Sequence, residues 1–329
     1  MPDQVARRMN RRAFVFAATA AACTAPAVAQ ARPYRAPRTV FGAPSLQGFW
    51  TNASYTDLER DKAFKTLTIS PEEARKAEAV FARLGQFTTD DPDPLGQKDS
   101  EYWEVGSGLA RVRGEIRTSF IVDPPDGKMP FTDEARKRFH IGDPNWHRGY
   151  DNPEERSVTE RCVASEGGYP PNLPSPDGNY LQIVQTRDHV AMLSEKYHDA
   201  HVIRLGAQAH DPAAVTSWMG DAIGRWEGET LVVENTNFSS VAARSDGLKL
   251  SAASTIQEKF TRLSPDDLLY EFTIADPTLY TRPWRCEMPF RRTTARMFEY
   301  TCHEGNYGLT NILQGARRLE QQGGAKAAQ

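Results

Sequence analysis

The stretch Thr255-Ile256-Gln257-Glu258-Lys259-Phe260-Thr261-Arg262 decides the fold class. In an extended chain successive side chains point to opposite faces. Gln257, Lys259 and Thr261 therefore form one, wet face, and Ile256, Glu258, Phe260 and Arg262 the other. A period of two, ended by Pro265-Asp266-Asp267, predicts a half-buried strand followed by a tight turn. The pattern continues downstream. Leu268–Ile274 sets Leu268, Tyr270, Phe272 and Ile274 on one side, and Thr281–Phe290 sets Trp284, Cys286, Met288 and Phe290 apart from Arg285 and Glu287. Upstream, Tyr180–Thr186, Val190–Glu195, His201–Leu205, Ile223–Trp226 and Thr230–Thr236 read the same way, and Arg296–His303 extends the series beyond them. Turns such as Arg187-Asp188 and Glu227-Gly228 join close neighbours, so the strands are expected as hairpins. The predicted fold is mainly β, an antiparallel β-barrel or strongly curled sheet.

The flanks are helical or extended. Leu309, Ile312, Leu313, Ala316 and Leu319 recur at helical spacing, which predicts a C-terminal helix on the barrel wall or plugging one end. Ser70, Pro71 and Glu73 form a capping box ahead of Ala74, Ala77, Val80, Phe81 and Leu84, with Gly85 as the stop. Arg117–Val122 reads as a strand ending in the turn Asp123-Pro124-Pro125-Asp126-Gly127, and Thr132 caps a short helix reaching His140. Residues 141–179 form a long polar loop of the kind that is functional more often than a plain linker. The expected organisation is a leader over 1–29, an N-terminal arm with helical and extended parts over 30–160, the barrel with its closing helix over 161–322, and a tail over 323–329.

The leader is read from Arg7, Arg8, Arg11 and Arg12 ahead of the short apolar run Ala13–Ala22. That run is too short to span a bilayer. Asn10-Arg11-Arg12-Ala13-Phe14-Val15 resembles a twin-arginine (Tat) export signal, and Ala27-Val28-Ala29 supplies a small-x-small cleavage site. Met9 is an alternative start, because the whole signal lies downstream of it. The expected location is periplasmic or secreted, with the Tat export machinery as a partner and no membrane span. A net charge of −3 excludes the basic surplus of a nucleic-acid binder. In an oxidising compartment Cys162, Cys286 and Cys302 predict one disulfide and one free thiol, with three pairings open.

The strand faces also pick out the chemistry. Glu258 points where Ile256 and Phe260 point, and a carboxylate facing an apolar interior is costly unless paired. Burial of that kind raises a carboxyl pKa towards the range useful for acid–base work. Glu258 is therefore the candidate catalyst, with Tyr270, Glu234 and Glu299 as neighbours across the lumen and His198, His303 and Glu304 as partners. The alternative is a structural brace in which Glu258 pairs with Arg262 or with another arginine. Trp218, Trp226, Trp284 and Tyr300, with Glu234, would line a barrel mouth suited to a flat or apolar organic ligand. His198 and His201 are three apart in a strand or turn context, not on one helix face as a zinc-binding pair requires, so a site free of metal and cofactor is expected. There is no nucleophile elbow, phosphate loop or dinucleotide fingerprint. The leading reading is a lyase, isomerase or hydrolase acting on a small organic molecule. The alternatives are a non-catalytic small-ligand binding protein and an envelope interaction module.

Two stretches carry a resemblance. Trp218 to Val233 (W-M-G-D-A-I-G-R-W-E-G-E-T-L-V-V) and Glu299 to Tyr307 (E-Y-T-C-H-E-G-N-Y) resemble a large, mostly uncharacterised family of exported bacterial proteins, and Arg117–Gly127 and Arg161-Cys162 fit it too. Gly224-Arg225-Trp226-Glu227-Gly228 is also similar to a hairpin of lipocalin-like (calycin) barrels, which hold small ligands in the lumen. The family pattern includes both Arg161-Cys162 and Cys302-His303-Glu304, and so implies a Cys162–Cys302 disulfide.

Overall fold

The computed structural model describes residues 34–89, 108–139, 149–150, 152–156, 160–163, 170–175, 178–239 and 248–322. The expected leader, most of the 141–179 loop, the tail and the side chains of Phe81 and Leu84 lie outside these residues. In chain order the elements are β1 (Gly48–Thr51), β2 (Thr68–Ile69), α1 (Pro71–Thr89), β3 (Arg111–Val112), β4 (Glu115–Arg117), β5 (Ile121–Asp123) and α2 (Asp133–Arg138). They continue as β6 (Tyr180–Gln185), β7 (His189–Ser194), β8 (Ala200–Leu205), β9 (Asp221–Glu227), β10 (Thr230–Thr236), β11 (Thr255–Arg262), β12 (Asp267–Ala275), β13 (Trp284–Arg292) and α3 (Gly308–Gln321).

Strands β6 to β13 pair in sequence order, and β1 pairs with both β6 and β13, closing a nine-stranded barrel. The barrel is mixed rather than strictly antiparallel, because β8 and β9 run parallel, with Ile203 opposite Ala222. Antiparallel neighbours need only a short turn, but a parallel pair needs a crossover. The stretch 206–220 supplies it. Gly224 suits this pairing: a Cβ there would lie 2.6 Å from Ile203 Cγ2, so the missing side chain leaves room for the isoleucine.

The alternating faces are as the sequence predicts. Ile256, Glu258, Phe260 and Arg262 of β11 are buried, as are Leu268, Tyr270, Phe272 and Ile274 of β12 and Trp284, Cys286, Met288 and Phe290 of β13. Rings fill much of this interior. Tyr270 stacks on Phe260 with centroids 4.7 Å apart and lies 5.5 Å from Phe272 and 5.6 Å from Phe290. Each such ring removes enough apolar surface to contribute roughly 1.5–3 kcal/mol.

The strand expected over Arg296–His303 does not form, and residues 293–301 carry no regular structure. Beside β13 the free edge is already taken by β12 on one side and by β1 and β5 on the other. The chain instead runs out to Cys302, which is bonded to Cys162 as the family resemblance implied; Cys286 is the buried free thiol. Helix α3 does not plug the barrel. Leu309, Ile312, Leu313 and Ala316 are only half-buried, and Leu319 is exposed.

Around α1 the capping box is present: Glu73 N donates to Ser70 Oγ, and Ser70 N donates to Glu73 Oε2. The helix runs past Gly85 to Thr89. Thr132 caps α2 by accepting from Ala135 N, and α2 ends at Arg138. The stretch expected as one strand from Arg117 divides into β4, in a small sheet with β2 and β3, and β5 on the barrel.

Candidate functional site

Strands β11 and β13 start, and β10 and β12 finish, at one end of the barrel, called here the Thr255 end. At the opposite, Arg262 end, polar side chains tie neighbouring segments together. Arg262 donates to the carbonyls of Ser264, Ser45 and Pro265, and its guanidinium lies 5.5 Å from the ring of Trp50. Gln185 takes Leu46 N and gives to Pro44 O, tying down the chain ahead of β1. Arg262 therefore does not brace Glu258, as the structural alternative had it. The two lie two turns of the alternation apart on one strand, and carbonyls meet the guanidinium first.

Glu258 instead meets groups from two other strands. Its Oε1 accepts from the Tyr270 hydroxyl at 2.6 Å, and its Oε2 lies 3.7 Å from His201 Nε2. The carboxylate and the phenol are 0 % exposed and the imidazole residue 1 %. Tyr270 comes from the neighbouring strand β12, one register step from the direct partner Phe272, whereas His201 comes from β8. A carboxylate hydrogen-bonded to a phenol, with an imidazole 3.7 Å from its other oxygen and all three shielded from water, brings groups able to carry a proton close together. The Tyr270 hydroxyl satisfies Glu258 Oε1, an atom that would be costly if buried alone, whereas Oε2 and His201 Nε2 stand too far apart to hydrogen-bond each other.

The Thr255 end has a polar rim. Asp276, beyond β12, accepts from Ser251 Oγ and Ser254 Oγ, each at 2.6 Å, and from the hydroxyl and amide of Thr278. Burial pushes its carboxyl up, but the hydrogen bonds from Ser251, Ser254 and Thr278 outweigh that and hold it below the usual carboxylate range. Tyr280 donates to Lys249 O, packs against Phe131, and meets Trp284 edge-on. Burial raises the phenol of Tyr280 and pushes the thiol of Cys286 well up. Both are neutral at physiological pH, so the wall around Trp284 carries no charge of theirs.

The remaining candidates disperse. Trp284 is fully buried at the Thr255 end, but Trp226, near the end of β9, sits half-buried at the Arg262 end, so the expected single aromatic mouth is split between the two ends. Trp218 is half-buried on the crossover before β9. Glu234 turns outward and pairs with Arg225 at 2.7 Å, because it shares its face with Val232 and not with the inward Leu231 and Val233. Glu299, also expected across the lumen, is exposed. His198 and Tyr300 do meet, outside the barrel: Tyr300 N donates to His198 Nε2 at 3.0 Å, and the rings of Tyr197 and Tyr300 stack 4.8 Å apart. His303 and Glu304 are exposed on the turn after Cys302, away from the buried carboxylate. His303 was expected at the end of a barrel strand that does not form, and Glu304 just beyond it.

His201 was missed as a partner of Glu258, although it shares the inward face of its strand with Ile203 and Leu205. That alternation was the available signal; nothing local says that β8 and β11 face each other across the lumen. No group of three or more His, Cys, Asp or Glu placed to hold a metal occurs among the described residues. No family model matches the chain, and no curated protein matches it in sequence.

Proposed function

We propose that this is an exported protein whose barrel takes a small organic molecule at the Thr255 end and exchanges a proton with it through Glu258. Tyr270 orients the carboxylate, and His201 is the second proton carrier. Such a pair fits a lyase, isomerase or hydrolase that works without a metal or other cofactor. The observation that carries the reading is the 2.6 Å bond from Tyr270 to a Glu258 with no exposed surface, with His201 3.7 Å from the other oxygen. Entry is placed at the Thr255 end because Arg262, Trp50 and Gln185 tie chain segments together at the other. The disulfide and the twin-arginine segment support export through the Tat machinery to the periplasm.

A second reading, a barrel that holds its ligand unchanged, is favoured by the rings that surround the three polar groups. One experiment tests both. A panel of small aromatic and aliphatic compounds is screened by amide chemical shift at Glu258, Tyr270 and His201, and bound compounds are followed by mass spectrometry. The expected result is a compound that shifts these amides and is converted, with Glu258→Gln keeping the shift and losing the conversion. Binding without conversion selects the second reading. Binding compounds that never perturb these residues would remove both.

A further inference from the structure

On the outside of the barrel, near the Arg262 end, a groove of about 340 Å³ runs between the β3–β4 turn and the β11–β12 turn. Its volume lies within the range of small-molecule sites, about 300–1,000 Å³. Arg111, Arg113 and Arg291 stand around it, and Leu263, Leu269 and Pro289 supply an apolar floor. Leu269 points away from the lumen yet is buried, because the β3–β4 hairpin covers it. The hairpin turns through Arg113 at φ +51° and Gly114 at φ +86°, the conformation of a tight two-residue turn. The wall bearing Arg111 and Arg113 is thereby set by backbone geometry.

The groove gathers three arginines in one lining. Among the described residues none of the three guanidinium groups forms an ion pair or a side-chain hydrogen bond. The one carboxylate in the lining, Asp267, is already engaged by Ser264 Oγ at 2.8 Å. Other arginines on the barrel are paired: Arg225 with Glu227 and Glu234, Arg285 with Glu271 and Glu287, and Arg204 with Asp211 and Asp221. Three unpaired guanidiniums against the single carboxylate of Asp267 leave the groove with a net positive charge over its apolar floor. Guanidinium also matches carboxylate and phosphate oxygens two at a time.

We propose that this groove binds a small organic anion, a carboxylate or a phosphate monoester, with its charged group on Arg111, Arg113 and Arg291 and its apolar body on Leu263, Leu269 and Pro289. The site is separate from the lumen and does not depend on the reading of Glu258. The probes are octanoate, octyl phosphate and octylamine, titrated calorimetrically at low salt into the full chain and into the double variant Arg111→Gln, Arg291→Gln. Both arginines are exposed, so the variant keeps its fold, which is checked by its unfolding midpoint. Octanoate or octyl phosphate is expected to bind, to shift the amides of Gly114 and Leu269, and to weaken at least tenfold in the variant. Octylamine is expected not to bind. The chemistry is shared by the two anions, and whichever binds more tightly identifies the natural head group. Absence of binding by both anions, equal affinity in the variant, equal binding of octylamine, or shifts confined to interior residues would each overturn the proposal.

Discussion

Arg262 lies over Trp50, 5.5 Å from guanidinium carbon to ring, and joins a residue at the end of β11 to one on β1, more than two hundred positions earlier. The contact fastens the N-terminal strand that completes the barrel. The guanidinium reaches three carbonyls as well. Arg262→Met keeps most of the side-chain volume and removes these bonds and the cation–π contact. It is expected to cost about 3 kcal/mol, read by urea denaturation. A loss below about 0.5 kcal/mol would show that the barrel closes without this contact.

Tyr270→Phe deletes one hydroxyl and leaves the carboxylate of Glu258 short of its 2.6 Å donor. Because the site is buried, the expected destabilisation is about 2 kcal/mol, above the usual worth of an exposed hydrogen bond. The rings packed on Tyr270 keep their places, so outside the tyrosine bands lost with the phenol the near-ultraviolet circular dichroism, its tryptophan bands above all, should stay close to that of the parent protein.

The disulfide joins residues 140 positions apart. Chain-entropy arguments assign a closed loop of this length a stabilisation of about 5 kcal/mol. The Cys162→Ser, Cys302→Ser double variant should lower the thermal midpoint and free Tyr197 from its stack on Tyr300, which tyrosine and tryptophan fluorescence follows. An unchanged midpoint would mean that the segment after β13 is held by other contacts.

Asp276 predicts an acid-side effect on stability. Its folded pKa is lower than its ordinary 3.8, so the folded state holds the proton less tightly than the unfolded chain. The contribution to stability is present above the ordinary value and is lost as pH falls through the folded one. Asp276→Asn removes this term. Denaturation midpoints of variant and parent should therefore differ most at neutral pH and converge as the pH drops below 3.8; parallel curves down to the most acid point would count against the role given to Ser251, Ser254 and Thr278.

Cys286 faces the interior with no exposed surface, and burial pushes its thiol well above the ordinary value. The thiolate is the reactive form. Iodoacetamide at pH 8 should leave the Cys286 peptide unmodified in the folded protein and alkylate it in guanidinium, as read by peptide mass. Labelling at equal rates in both states would place the side chain on the surface.

The strands and their buried faces were legible in the residue pattern because alternation is a property of each segment alone. Ile256, Glu258 and Phe260 needed no partner to be sorted, and the Ser70–Glu73 capping box and the Thr132 cap are closed within a few residues. Hairpin pairings across short turns could be read as well, but pairings between distant segments were not legible in this way. That β1 completes the barrel, that β8 and β9 run parallel, and that Arg296–His303 stays outside follow from which edges remain free once the sheet curls. The same holds for the site. Glu258 could be placed indoors from its neighbours in the chain, but His201, fifty-seven residues away, meets it only because closing the sheet brings β8 opposite β11. A side chain's face is set by local backbone geometry, whereas its company across a lumen is set by how the whole sheet wraps.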